Sequence, residues 1–272
     1  DKAGELFGVS GRYVSDAQKI KQEARQYVGP IMQGEMTISQ AKKKLKNKKA
    51  KEQFTKQTQT AKLKAEVEIF DVVDWLNKMP PCDLLLTDPP YITDVDDINL
   101  FANWITIGLN KVKDTGHAYI FVGAYPEELK TYLNANIPKH MELSQVLIWT
   151  YKNTLGNNPK DRYKQNYQAC LYFKGINSLD LDCPITNEQW AVQEINAPDG
   201  RQGDRYHTWQ KPIEIAQRFI RHSTKEGDII YDPFACTGTF LLAAANLGRI
   251  AKGCDISEDN LNIAIRRGCV YA

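Results

Sequence analysis

The sequence lacks several features that would assign the chain to other protein classes. It has no stretch of about 18 apolar residues, so we expect no transmembrane helix, and no charged-then-apolar leader that would indicate secretion. Its six cysteines form no C-x-x-C pair, and their spacing fits neither a zinc site nor a disulfide framework. Internal repeats and long low-complexity tracts are also missing. We therefore expect a cytoplasmic protein with reduced thiols and no metal.

Charge is distributed unevenly along the 272 residues. Residues 1–65 hold 15 Lys and Arg against 6 Asp and Glu, whereas the remainder holds 20 against 27. When a basic segment is joined to an acidic body, the basic segment often binds a polyanion. The ordinary explanation is a solubilising surface, and charge alone favours that explanation.

The apolar pattern divides the chain into three regions. Residues 1–41 have helical spacing, with Ser10 as a good N-cap for a helix that begins at Gly11. Residues 42–65 are rich in lysine and poor in apolar side chains, which indicates a solvated helix or a linker. From residue 66 to 272, short β-rich runs alternate with helical patterns. The predicted strands are 83–87, 118–122, 145–149, 168–173, 228–231 and 249–254, and the predicted helices lie near 97–112, 126–135, 211–222, 238–247 and 257–267.

Continuous apolar strands separated by helices are typical of a mostly parallel sheet that is covered on both faces. The sequence therefore predicts a doubly wound α/β domain, preceded by a small all-helical domain. Ligands of such a domain bind at the carboxyl ends of its strands.

The first chemical signal is Asp88-Pro89-Pro90-Tyr91, directly after strand 83–87. Prolines after a strand fix the backbone and leave carbonyl groups pointing outward. A carboxylate and a rigid carbonyl are two acceptors, which suit an amino group with two donors. The tyrosine offers a flat surface for stacking a base. An isolated D-P-P would indicate only a turn that ends a strand, whereas D-P-P-Y after an apolar strand is more specific.

A second signal, Asp232-Pro233-Phe234-Ala235-Cys236-Thr237-Gly238-Thr239, follows strand 228–231 and opens a helix. A glycine turn at such a junction lets a ligand approach the backbone and the helix N-terminus. About twenty residues later, Asp255 ends the next strand, where an acidic residue commonly binds ribose hydroxyls. Taken alone, Asp255 would more simply cap the helix that follows it.

A third signal is His207-Thr208-Trp209-Gln210-Lys211-Pro212, which precedes an amphipathic helix. Pro212 suits the first turn of that helix. The simplest interpretation is a helix start, but the segment lies about twenty residues before the second signal.

Together the three segments resemble the β subgroup of DNA amino-methyltransferases, the D-P-P-Y type that acts on adenine N6 or cytosine N4. The resemblance covers about residues 66–268 and includes the permuted order, with D-P-P-Y first and the cofactor loop last. It implies a class I methyltransferase domain that uses S-adenosylmethionine, releases S-adenosylhomocysteine and requires no metal. Aspartate at the start of D-P-P-Y leans toward adenine N6. The alternatives are cytosine N4, an RNA base, or a DNA-binding regulator that keeps the fold without turnover.

The resemblance also implies roles for individual residues. Asp88 would accept one hydrogen of the target amine, and the carbonyl of Pro89, held rigid by Pro90, would accept the other. Tyr91 would stack on a base flipped out of double-stranded DNA, because a paired base cannot present its amine to a methyl donor. The cofactor contacts expected from the resemblance are Asp71, Asp88, His207, Gln210, Lys211, Pro212, Asp232, Pro233, Phe234, Cys236, Gly238, Thr239 and Asp255.

This sequence departs from the family pattern at three positions within these segments. Cys236 stands where the family usually has glycine, and Thr208 and Trp209 replace the residues of the H-P-T-Q-K-P form. Asp71 is assigned to the adenine of the cofactor, although it could equally be the N-cap of a helix over 72–78.

Two segments are candidates for DNA contacts. The basic loop 152–166 offers Lys152, Lys160, Arg162 and Lys164 to phosphates and Tyr163 to a base, unless it is only an exposed mobile loop. The recognition insert at 175–206 is short, which suggests relaxed specificity or specificity supplied elsewhere.

At the N-terminus, the pattern from Gly4 to Val14 resembles a helix-turn-helix, and residues 27–41 extend the likeness to ParB-like proteins. Its second helix, near 11–20, would enter the major groove. The candidate contacts are Arg12, Tyr13, Gln18 and Lys19. The alternative is a helical bundle for packing or for a homodimer. The start at Asp1 rather than Met is consistent with a ParB-like domain upstream.

Overall fold

The computed structural model describes residues 10–42, 44–45, 63–153, 158–183, 186–200, 205–208 and 210–272. The chain forms two compact units, Asp1–Thr60 and Ala61–Ala272. The first predicted helix of the helix-turn-helix, before Ser10, lies outside the described residues, as do most of the lysine-rich segment and Trp209. Among the described residues, no helix is long and apolar enough to cross a membrane.

The described part of the first unit is helical. Helix α1 spans Gly11–Glu23 and α2 spans Val28–Met32, with a 3-10 turn at Arg25–Tyr27 between them. Ser10 caps α1 as predicted, because its hydroxyl accepts the backbone N–H of Tyr13 at 3.3 Å. A further helical stretch follows Thr37, which exchanges two hydrogen bonds with Gln40 as a capping box does. The small core of this unit contains Ile20, Ala24, Ala41 and Leu45.

The second unit is built on a mixed, mostly parallel sheet. Its strands are β1 Ala65–Ile69, β2 Cys82–Thr87, β3 Val112–Val122, β4 Met141–Thr150, β5 Tyr167–Gly175, β6 Val192–Glu194, β7 Ile229–Asp232, β8 Ile250–Asp255 and β9 Val270–Tyr271. Their order is β6-β4-β5-β3-β2-β7-β8-β1-β9. β5 runs antiparallel to β3 and to β4, and the other pairs are parallel. The predicted doubly wound, mostly parallel sheet is confirmed.

Helices cover both faces of this sheet. They are α3 Val72–Lys78, α4 Ile98–Phe101, α5 Trp104–Asn110, α6 Pro126–Leu133, α7 Ile213–Ser223, α8 Thr239–Asn246 and α9 Glu258–Arg267. Side chains alternate between the faces of a strand, and β2 shows this directly. Leu84 and Leu86 pack in the core with α7, α8 and α9, whereas Leu85 packs in the core with α3, α5 and α6.

Two predicted elements need correction, and two strands were missed. The helix expected over 97–112 is two short helices, α4 and α5, separated by a turn at 102–103, and the chain then enters β3 at Val112, six residues before the predicted start. The first half of β3 was missed because its residues include Lys113, Asp114 and Gly116, which give no apolar run. Strands β6 and β9 were also missed, since each is too short to show a pattern.

The strand order brings the predicted site residues to one edge of the sheet. β2, β7, β8 and β1 are consecutive neighbours and all run in the same direction. Their carboxyl ends lead into Asp88, Asp232, Asp255 and Asp71. These four carboxylates come from segments far apart in sequence, and the parallel sheet places them side by side.

Candidate active site

A cavity of about 440 Å³ opens at this edge of the sheet. Its lining includes every predicted catalytic or cofactor residue except Pro212 and Gly238. Pro212 caps α7 immediately before its first turn, and Gly238 precedes α8. The lining residues that the sequence did not indicate are Phe70, Val72, Asp94, Phe101, Ala235, Thr237, Phe240, Ile256, Ser257 and Asn260. Several of them directly neighbour a predicted residue, and that adjacency is the signal that could have found them.

Asp88 is held by Tyr91 and Lys211. The hydroxyl of Tyr91 donates to Oδ1 of Asp88 at 2.8 Å, and the ammonium of Lys211 forms an ion pair with Oδ2. The same hydroxyl accepts from Lys211 Nζ at 2.7 Å and from Gln168 Nε2 at 2.8 Å. Gln168 lies on β5 and gave no signal in the sequence, since it reads as an ordinary strand residue.

Burial governs the ionisation of these groups. It raises the pKa of Asp88, which the charge and hydrogen bond of Lys211 oppose, and it lowers the pKa of Lys211, which Asp88 opposes. Burial also raises the pKa of Tyr91 well above its ordinary value, so the phenol remains a hydroxyl donor near neutral pH. Tyr91 is only 4% exposed, so its ring is already well packed before any base is bound.

A buried glutamate connects the loops that follow β2 and β3. Glu128, in the first turn of α6, accepts the backbone N–H of Ile92 at 2.9 Å and that of Gly123 at 2.5 Å. A Cβ at position 123 would lie 2.7 Å from Oε2 of Glu128, so a larger residue there would displace the carboxylate. Glu128 was missed because an acidic residue in a first helical turn is ordinary at the sequence level.

The loop after β7 is shaped by Asp232 and by two left-handed residues. Asp232 accepts from Thr87 Oγ1 at 2.7 Å and from the N–H of Phe234 at 3.3 Å, and burial raises the pKa of Asp232 to about 7. Cys236 has φ 45°, in the left-handed region that favours glycine. Its N–H donates to Oδ2 of Asp255 at 2.8 Å. Gly238 has φ 74°, and a Cβ there would lie 2.6 Å from the sulfur of Cys269.

Asp71 and Asp255 both line the cavity, but only Asp71 caps a helix, because the N-cap of α9 is Ser257 and not Asp255 as the sequence alone suggested. Asp71 accepts the N–H groups of Val73 at 2.8 Å and Asp74 at 3.2 Å, so the N-cap role considered from the sequence is observed, and β1 ends two residues before it. Asp255 accepts from Ser257 N at 2.8 Å. Both carboxylates line the cavity and keep lone pairs that can accept hydrogen bonds from a ligand.

Arg267, in the last turn of α9, is hydrogen-bonded to the loop after β7. Its guanidinium donates to the carbonyl of Thr237 at 2.6 Å, to the hydroxyl of Thr237 at 2.9 Å and to the hydroxyl of Thr239 at 2.8 Å. The ring of Tyr206 lies 4.6 Å from the same guanidinium. The last turn of α9 thereby connects the loop after β7 with the segment that carries His207.

The basic loop lies at the same edge of the sheet as Asp88. It joins the end of β4 to the start of β5, where Ala169 pairs with Val122 at the carboxyl end of β3. Tyr163 is fully exposed, and Lys152, Lys160 and Arg162 are exposed, whereas Lys164 is half-buried. In the first unit, the candidate residues Arg12, Tyr13, Gln18 and Lys19 are all exposed on α1.

Similar proteins agree with this architecture. The family model of the N6/N4 DNA methylases matches residues 82–266. The Type II methyltransferase M.HpaI of Haemophilus parainfluenzae is 26% identical in an alignment 217 residues long that covers 68% of this chain and 67% of that protein. M2.DpnII of Streptococcus pneumoniae is 26% identical over 245 residues, covering 72% of this chain and 87% of the relative.

Solved structures share the fold. The M1.HpyAVI–SAM complex superposes with a TM-score of 0.60 at 20% identity, covering 75% of this chain and 99% of that one. The cytosine-N4-specific PvuII DNA methyltransferase gives a TM-score of 0.62 at 17% identity, covering 75% and 86%.

The cavity fits S-adenosylmethionine, the cofactor of this chain. Carboxylates of Asp71 and Asp255 offer acceptors for amino and hydroxyl groups, and the rings of Phe70 and Phe234 offer apolar surface for an adenine. No group of three or more His, Cys, Asp or Glu side chains that could hold a metal ion occurs within the described ranges.

Proposed function

Since the chain belongs to the DNA methylase family of N6/N4 methyltransferases and is a DNA methyltransferase, we propose that its target is the N6 amine of adenine in double-stranded DNA. One observation carries the proposal. Asp88, at the start of D-P-P-Y, lines the same cavity as the loop after β7 and is held by a buried lysine and a tyrosine hydroxyl.

The residues of the chain would act mainly by position and charge. An exocyclic amine is a weak nucleophile, because its lone pair is delocalised into the ring. Asp88 would accept a hydrogen bond from one N–H of the amine, and the carbonyl of Pro89 would accept a hydrogen bond from the other. This arrangement directs the nitrogen lone pair toward the methyl donor. Positive charge that develops on the nitrogen is stabilised by the Asp88 carboxylate. The cofactor supplies an electrophilic methyl group.

The target base must leave the helix to reach Asp88. Base flipping exposes the amine and one face of the ring, and the exposed aromatic side chain of Tyr163 on the same edge of the sheet suits a base or a displaced strand. Lys152, Lys160, Arg162 and Lys164 would contact phosphates beside it.

Cytosine N4 is the second candidate target. Both bases present an exocyclic amine with two hydrogens, so the acceptor pair of Asp88 and Pro89 suits either. The fold is also shared with an N4-cytosine enzyme. The aspartate of D-P-P-Y favours adenine through the family resemblance.

Product analysis separates the two targets. Unmethylated genomic DNA is incubated with the protein and methyl-labelled cofactor, digested to nucleosides and analysed by mass spectrometry. We expect N6-methyl-2′-deoxyadenosine, whereas N4-methyl-2′-deoxycytidine would overturn the adenine assignment. A labelled RNA substrate run in parallel tests the RNA alternative.

Substitution of Asp88 tests the role of the carboxylate. Asp88→Ala should lower kcat by about 10³-fold, the scale of losing an electrostatic contact to the transition state, while the cofactor Kd changes little. Asp96→Ala removes an exposed carboxylate from the same loop and should leave kcat near the wild-type value. Near-normal turnover of Asp88→Ala would contradict the proposal.

The first unit adds a possible second DNA contact. Its described part presents Arg12, Tyr13, Gln18 and Lys19 as exposed side chains of a capped helix, of which Ile20 is the buried residue. This supports the helix-turn-helix and ParB-like interpretation, in which α1 enters the major groove.

A further inference from the structure

We propose that Lys211 is a positioning residue for Asp88, which it keeps ionised and aimed at the target amine. The inference rests on the proposed function, because it assumes that the Asp88 carboxylate accepts the amine. It assigns to Lys211 a task different from the cofactor contact that the family resemblance implies.

The contacts of Lys211 are directed at the catalytic segment. Its ammonium pairs with Oδ2 of Asp88 and donates to the hydroxyl of Tyr91 at 2.7 Å, while that hydroxyl donates to Oδ1 of Asp88. Each carboxylate oxygen therefore has one fixed donor. Two donors at opposite ends of a carboxylate set the rotation of its plane, and the remaining lone pairs stay available to a substrate amine.

The ammonium is enclosed as well as paired. The side chain of Lys211 is 2% exposed, and three rings surround its nitrogen, with centroids at 5.2 Å for Phe121, 5.4 Å for Tyr91 and 5.7 Å for Trp149. Ring faces stabilise a desolvated cation. A buried ammonium without a counter-ion is costly, so the charge of Lys211 and the charge of Asp88 depend on each other.

The backbone fixes where this charge lies. Lys211 is followed by Pro212, which caps α7, and α7 is anchored in the core by Ile215, Phe219 and Ile220. The lysine therefore approaches Asp88 from a rigid element, which suits a positioning residue.

Other titratable groups face Asp88 from the elements around it. They are Tyr91 on its own loop, His207 ahead of Lys211, Asp232 at the end of β7, Cys236 in the loop after it, Glu128 and Tyr132 on α6, and Cys170 on β5. Asp232 and Glu128 are acidic and oppose ionisation of Asp88. Burial raises the pKa of Asp88, and Lys211 is the strongest influence that lowers it. Removing Lys211 leaves burial opposed only by the weaker influences of the Tyr91 hydrogen bond and His207, so Asp88 would take up a proton.

A protonated Asp88 could not do its proposed work. Its O–H would donate where an acceptor is needed, and its negative charge would be absent when positive charge develops on the amine. The predicted signature is therefore a pH profile and not simply a loss of activity.

Two variants of the full chain test this. In Lys211→Met, which keeps the length of the side chain but not its charge, we expect kcat at pH 7 to fall roughly 30-fold or more and to recover about tenfold for each pH unit above that, as Asp88 ionises. The cofactor Kd should change by less than about 3-fold. Lys211→Arg keeps the charge, so its kcat, even if lowered, should show the shallow pH dependence of the wild type.

The controls separate this inference from the function on which it rests. Asp88→Ala should show no recovery at high pH. A His207→Asn change in the Lys211→Met background should leave the slope in place, because the slope belongs to Asp88. A Lys211→Met protein with an unchanged pH profile and a cofactor Kd raised more than tenfold would overturn the inference and make Lys211 a cofactor ligand. An active Asp88→Ala would instead contradict the proposed function. A difference infrared spectrum of Lys211→Met against Lys211→Met with Asp88→Asn tests protonation directly, provided that circular dichroism shows both variants folded. A carboxylic-acid band is expected even if turnover is lost, and its absence would count against the inference.

Discussion

Cys236 shows how a single residue departs from its family without changing the backbone. Its φ of 45° lies in the left-handed region, where a side chain is strained and glycine is not. Its N–H nevertheless reaches Asp255 at 2.8 Å, so the loop after β7 keeps the hydrogen bond that connects it to the end of β8. The side chain is half-buried at the cavity wall.

A glycine at position 236 should give a more stable protein than an alanine there. Relief of the left-handed strain raises the free energy of unfolding of Cys236→Gly by about 1 kcal/mol relative to Cys236→Ala. Both variants lose the thiol, so the difference between them isolates the backbone effect. Urea unfolding measures it, and equal stabilities of the two variants would show that position 236 carries no strain.

At the residue scale, the sequence identified side chains that belong to motifs and missed those that support them. Asp88, Asp232 and Asp255 each follow an apolar strand, so their position at the carboxyl edge could be predicted. Gln168 and Glu128 contact the catalytic loop from β5 and α6, and no local pattern distinguishes them from ordinary strand or helix residues. Their roles depend on which strands become neighbours, which is a tertiary property.

At the scale of elements, α6 joins the loops after β2 and β3. Glu128 has both oxygens occupied by backbone N–H groups, one from each loop, and it is fully buried. A buried carboxylate that satisfies two donors is costly to replace, because each orphaned donor loses its partner. The helix therefore holds the D-P-P-Y loop in register with the end of β3.

Glu128→Gln tests this connection. The amide can accept from one N–H, but its NH2 group faces the other donor, so we expect the free energy of unfolding to fall by about 2 kcal/mol. Because the loop shifts, kcat should fall more than the cofactor affinity. Methyl-transfer assays and calorimetric titration of the cofactor measure the two effects.

Glu127→Gln is the matched control, since Glu127 is the exposed neighbour of Glu128 in the same helical turn. It should change stability by less than about 0.5 kcal/mol. If both variants behaved alike, the buried connection would have no energetic importance.

The fold class could be predicted because each central strand is an apolar run flanked by helical periodicity. Where the pattern was wrong, at 97–118, the chain changes from helix to strand through polar residues such as Lys113 and Asp114, whose environment is set by β2 beside them. Strand β6 has three residues and is defined only by its pairing with β4. Such elements are products of tertiary structure and carry too few residues for a periodic signal.

At the scale of the whole molecule, the two units have opposite charge. Residues 1–65 carry the excess of lysine and arginine, and the rest of the chain carries the excess of acid. DNA repels an acidic body, so phosphate contacts must come from localised basic groups, and counterion release makes each such contact visible in the salt dependence of binding.

Removing two basic residues from α1 should therefore flatten that salt dependence. Each phosphate contact contributes about 0.9 to the slope of log K against log salt concentration, so Arg12→Ala with Lys19→Ala should lower the slope by about 2 if both contact DNA. Lys139→Ala with Lys225→Ala removes the same charge from exposed positions at the edge of the sheet opposite Asp88 and should leave the slope nearly unchanged. Fluorescence anisotropy on one labelled duplex over a salt series measures both. Equal slopes in the two double variants would mean that α1 adds only general charge, and the helix-turn-helix assignment would then have no support from binding.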